Sequence, residues 1–100
     1  MRPGDLPIVA VSDIELALRR ARQGVGTGTW SLWFDGWLAG DRTARSSFGI
    51  ARAMRSAGTL VQMRATLAAQ EWSEAQGLEG RQRETALQLC AILVRAVLSA

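Results

Sequence analysis

Apolar positions in this chain recur with the period of helices, most clearly in Trp30-Ser31-Leu32-Trp33-Phe34-Asp35-Gly36-Trp37-Leu38. Trp30, Trp33, Phe34, Trp37 and Leu38 stand at i, i+3, i+4, i+7 and i+8, the spacing of one helical face. The segment predicts a short helix over about 30–39. Its aromatic load serves either as a core anchor or as a docking face. Thr29 is placed to cap its start and Gly40 to end it. Gly36 costs such a helix about 1 kcal/mol against alanine, which points to another backbone packed close against it.

The same reading gives four further helices. Ser12-Asp13-Ile14-Glu15 has the form of a capping box. It opens a helix to about Gln23 with Ile14, Ala17, Leu18 and Ala21 on the inner face, stopped by Gly24. Asp41 caps a third helix over about 42–57, ended by Gly58. Thr59-Leu60-Val61-Gln62 is a second capping box, opening a fourth helix to about Gln76. Gly77 and Gly80 bracket a turn before a fifth helix over about 81–99. That helix is apolar nearly all round in its second half, which places it at the centre of the fold. Residues 1–11, with Pro3 and Pro7, form an extended N-terminal lead-in. The run Ile8-Val9-Ala10-Val11 has strand character, but a lone strand needs a partner. The predicted fold is all-α, a compact bundle of four or five short helices in one domain over 1–100.

Composition narrows the class. A hydrophobic fraction of 48% supports a core, and 21% charged residues argues against a disordered tail. No apolar run reaches the roughly 18 residues of a membrane span, and no signal peptide is recognisable at the start. The single cysteine, Cys90, allows no intrachain disulfide and fits a reducing, cytoplasmic location. Its apolar neighbours make it a small buried residue rather than a reactive thiol.

Charge changes the picture more. The net charge is +3, and all 12 basic residues are arginine. Projected on the third helix, Arg42, Arg45, Arg52 and Arg55 fall within an arc of roughly 140°. Phe48 lies in that arc, and Ile50, Ala53, Met54 and Ala57 lie opposite. No acidic residue occurs between Asp41 and Glu71. Such a stripe is either a solvated face or a surface for phosphates, bases or an acidic protein. Arg42, Arg45, Phe48, Arg52 and Arg55 are therefore the candidate partner-binding residues. Trp30, Trp37 and Trp72 are secondary interface candidates, should their rings stay exposed.

Other chemistries find no support. Gly24-Val25-Gly26-Thr27-Gly28 lacks the spacing and the preceding strand of a dinucleotide loop. A helix-turn-helix with Gly49 or Gly58 at the turn would put Arg55 or Arg64 at a buried position. The chain has no histidine, so it has no histidine base, nucleophile partner or metal ligand. One cysteine cannot build a zinc cluster, and the 9 carboxylates are scattered. No catalytic, metal or cofactor site is expected.

In length, compactness and missing catalytic chemistry the chain resembles small phage-encoded inhibitors of the anti-CRISPR type. The resemblance is one of profile, with no shared motif, so it transfers no functional residue. It implies steric blocking of a nucleic-acid-binding complex without turnover. The expected function is non-enzymatic docking on a larger protein or nucleoprotein assembly, with no membrane involved. The alternative is direct nucleic-acid binding by the arginine face, as an accessory protein. A homo-oligomer burying the tryptophans against themselves is a third arrangement.

Overall fold

A computed structural model describes residues 9–100. Among these residues the chain forms six helices and no strand. They are α1 (Val11–Arg22), α2 (Thr29–Leu38), α3 (Arg42–Arg45), α4 (Ser47–Ser56), α5 (Leu60–Ala75) and α6 (Gly80–Leu98). The all-α expectation holds. Of the lead-in, residues 1–8 lie outside the described part. Val9 and Ala10 are irregular, and Val11 already belongs to α1 rather than to a strand.

Several helix ends follow the local chemistry of the sequence. Thr59 and Gln62 form the expected box: the Gln62 N–H donates to Thr59 Oγ1 at 3.0 Å, and Gln62 Oε1 accepts from the Thr59 N–H at 3.0 Å. Asp41 caps α3 by accepting from the Ala44 N–H at 3.3 Å. Gly40 ends α2 with φ +76°, where a side chain would be strained. The Gly40 N–H reaches Trp37 O and the Asp41 N–H reaches Gly36 O, the paired bonds of a Schellman close.

Three elements differ from expectation. Thr29 is the first residue of α2 rather than its cap, and the N-cap is Gly28, with no side-chain bond. The expected Ser12–Glu15 box does not form: α1 starts two residues earlier, where Asp13 accepts from the Ala10 N–H at 2.9 Å and Ala10 has no side-chain acceptor to return the bond. The third predicted helix is two helices. Ser46 is extended at φ −73°, ψ 159° and serves both. Its hydroxyl donates to Thr43 O at 2.7 Å and accepts from the Gly49 N–H at 3.0 Å. The crossing is tight: a Cβ on Gly49 would stand 2.0 Å from Thr43 O.

Nearly all the buried apolar residues form one cluster, drawn from all six helices, with Ala75 and Ala86 outside it. Its centre is α5 rather than the last helix. Helix α5 packs against α1, α4 and α6. It presents Ala65, Ala68, Ala69 and Ala75, whose small size lets neighbours approach closely. Helix α6 touches α1 and α5 and buries one face, Ala86, Cys90, Val94 and Val97, while Leu89, Ile92 and Leu98 stay exposed. Its all-round apolarity therefore does not mark the middle of the bundle.

The tryptophan helix resolves as core. Trp30, Trp33, Phe34 and Trp37 are buried, with Trp37 fully so. Trp30 stacks on Phe34 at 5.8 Å between centroids, and Trp37 meets Trp72 of α5 edge-on at 6.3 Å. The indole N–H of Trp30 donates to Thr66 Oγ1 at 2.9 Å and that of Trp33 to Ala44 O at 2.7 Å. Gly36 is closely packed, but by side chains rather than by the expected backbone: a Cβ there would meet Ala44 Cβ at 3.0 Å.

Candidate docking surface

The break at Ser46 redistributes the arginine stripe. Arg42 is exposed on α3, and Phe48, Arg52 and Arg55 are exposed on α4. The last three stand at i, i+4 and i+7, one face of a real helix. Ile50 and Ala53 point the other way, into the core. Phe48 is 70% exposed, far more than a ring held for packing requires.

Arg45 leaves the candidate set. It is half-buried, and its Nε and Nη2 donate to Trp37 O at 3.1 and 2.8 Å. Its guanidinium carbon lies 4.8 Å from the Trp37 ring centroid. The side chain thus supplies donors to the last turn of α2 and covers the central indole, a structural role. Among the described residues the other guanidinium hydrogen bonds belong to Arg20 and Arg22. They end on the Gln23 amide oxygen and the main-chain oxygens of Ala100 and Val25. Arg42, Arg52 and Arg55 take no part in them.

The secondary candidates are corrected as well. Trp30 and Trp37 are sealed in the core and reach no partner. Trp72 is half-buried, with its indole N–H donating to Val9 O at 3.2 Å and its ring against Trp37. Trp30, Trp33 and Trp37 therefore offer no free ring for a second copy to cover.

Beside the α4 face lies a groove of about 250 Å³ between α2, α3 and α4. Trp33, Gly36, Ala44, Gly49 and Ala53 floor it, being the largely buried members of its lining. Leu32, 72% exposed, walls one side, and Arg52 and Asp41 stand at the rim. Cofactor and drug-sized sites start near 300 Å³, so the groove suits one or two side chains of a partner. Leu32 and Asp41 were not among the candidate binding residues read from the sequence, where Asp41 figured only as a helix cap. Leu32 did carry a signal: it is the apolar residue off the aromatic face of α2, hence the one with nowhere to go but solvent.

Two titratable groups are shifted by their surroundings. Cys90 is fully buried, and its Sγ donates to Ala68 O at 3.4 Å. Burial first, then the Glu71 and Asp13 charges, push its thiol up to about 12. Glu71 is raised from the ordinary carboxylate value by partial burial and by Glu74. Among the described residues no three His, Cys, Asp or Glu side chains gather as a metal site, and no helix is long and apolar enough to cross a membrane. Comparison with family models, with curated proteins and with solved structures returns no significant match to this chain.

Proposed function

We propose that this chain is a non-enzymatic docking protein that grips an acidic segment of a larger macromolecular assembly through α4 and the groove beside it. The observation that carries the reading is the Phe48–Arg52–Arg55 face, exposed on one side of α4 and bordering an apolar groove at Arg52. An apolar side chain of the partner fills the groove over Trp33 and Ala53. Carboxylates flanking it meet Arg52, Arg55 and Arg42, whose planar forks suit such acceptors. Inhibition of a nucleic-acid-binding complex is the specific form of this role that we put forward. That specific form rests on the likeness in profile to anti-CRISPR proteins, whereas the surface supports docking on an acidic segment.

Direct nucleic-acid binding is the second reading, favoured by the exposed Phe48 ring as a stacking platform for a base. Magnitude weighs against it. Three arginine–phosphate contacts give a salt slope of only about −2 to −3, and lose at most about forty-fold in affinity between 50 and 200 mM salt. So small an electrostatic term leaves sequence-independent binding weak.

The test is affinity purification from the native host, run in parallel on the unaltered chain and on Arg52→Glu/Arg55→Glu, each with and without nuclease. We expect a co-purifying species that survives nuclease and is lost from the double reversal. Release by nuclease would select the second reading, and recovery unchanged by the reversal would reject both. Arg45→Ala serves as the contrast. It should cost about 1–2 kcal/mol of stability through its bonds to Trp37 O, and leave docking by the folded fraction intact.

A further inference from the structure

The outer face of α6 is the largest feature that docking through α4 leaves unexplained. Ile92 is 65% exposed and Leu89 40% exposed, in the last of the six helices. Thr85, Leu89, Ile92 and Ala96 stand at i, i+4, i+7 and i+11, so they line one continuous stripe. The core-facing side of the same helix is formed by Ala86, Cys90, Val94 and Val97, with Leu93 half-buried beside them. Two apolar stripes on one helix are more than the fold of a single copy uses. At the start of the outer stripe, Leu78, Arg81, Gln82 and Thr85 enclose a further open, mostly apolar hollow.

We infer that this stripe pairs with the same stripe of a second copy, antiparallel about a two-fold axis. Charge selects both the partner and the direction. On the helical wheel Glu84 and Arg95 lie about 20° apart on the same flank of the stripe. A two-fold axis between antiparallel helices brings like flanks together. Setting Leu89 against Ile92 of the second copy then sets Thr85 against its Ala96. Each Arg95 falls about two residues, or about 3 Å along the axis, from the other copy's Glu84, within reach of a guanidinium. The ion pair forms twice, once at each end of the seam. A parallel pairing brings opposite flanks together instead, and faces Arg95 with Leu93 and Glu84 with Ala86. The self-complementary pattern therefore fits a second copy of this chain running the other way.

The α6 stripe is independent of the docking surface, since α4 packs on α2, α3 and α5. A dimer joined through α6 leaves both arginine faces free and is bivalent, which raises avidity for a partner that repeats its acidic segment.

Sedimentation equilibrium of the full chain, from about ten micromolar to the highest soluble concentration, tests the pairing. The seam is short, below the size of most stable interfaces, so association is weak and the mass-average should climb with concentration from 10.8 kDa toward twice that value. Ile92→Glu should hold it at the monomer mass with an unchanged helical circular dichroism signal. Glu84→Arg and Arg95→Glu should each weaken association severalfold, and the double exchange should restore it. A monomer at all concentrations, or a dimer indifferent to Ile92→Glu, would overturn the inference. Failure of the double exchange to restore association would overturn the antiparallel register. None of these outcomes bears on docking through Arg52 and Arg55.

Discussion

Gly49→Ala separates the observed crossing from a single long helix by sign. In an unbroken helix over 42–57, alanine at 49 would stabilise by about 1 kcal/mol through propensity. In the structure a Cβ on Gly49 would lie 2.0 Å from Thr43 O and 3.0 Å from Ala44 O. Real Cβ atoms essentially never come under 3.0 Å, so the α3 carbonyl must retreat by roughly 1 Å. That retreat disturbs Ala44, whose carbonyl accepts from the Trp33 indole and whose Cβ sits against Gly36. Overpacking of this kind costs about 1–3 kcal/mol, and here at the upper end because the neighbour is backbone. Set against the propensity gain, the net loss is about 2 kcal/mol. Urea unfolding followed by circular dichroism at 222 nm reads it directly. Ala51→Gly, on the exposed side of α4, is the internal standard and should cost about 1 kcal/mol. A Gly49→Ala variant more stable than the unaltered chain would mean that α3 and α4 do not cross as described.

Two further predictions concern the core. Trp33→Phe and Trp37→Phe remove the same volume, but the Trp33 indole N–H donates to Ala44 O while that of Trp37 is buried with no partner among the described residues. Trp33→Phe should therefore be the costlier by about 1 kcal/mol in urea unfolding; equal costs, or the reverse order, would refute the assignment. Cys90, with its thiol pushed up to about 12, should react with a disulfide reagent at pH 8 only as fast as the chain unfolds. Labelling at the rate of a free thiol would show an open site.

What the sequence revealed and what it hid follow a physical line. Thr59 with Gln62, Asp41 and Gly40 act within four residues of themselves, and each sits where its chemistry placed it. Ser46 acts as locally, yet residues 42–57 satisfy one helical period. Only the close approach of Thr43 O to Gly49 shows why the chain turns there. Ala10 offers no side-chain acceptor, so the start of α1 was read two residues late. The rank of α5 was hidden because alanine adds little to an apolar face while admitting three neighbours. Of the site, Arg42, Phe48, Arg52 and Arg55 were legible as outward residues of a helix. Arg45 was not, since its partner is a carbonyl on another helix. The groove was not legible either, because it exists only where three helices meet.

The indole rings carry a consequence for light. Trp30, Trp33, Trp37 and Trp72 form a chain with centroids 5.9, 5.7 and 6.3 Å apart. At such spacing an excited ring hands its energy to the next faster than it emits. Ultraviolet fluorescence from this protein therefore comes from the lowest-energy member of the series, depolarised, whichever ring absorbed the photon. Replacing one ring should alter the near-ultraviolet dichroism by more than a quarter of its strength, because the bands belong to coupled pairs rather than to single residues.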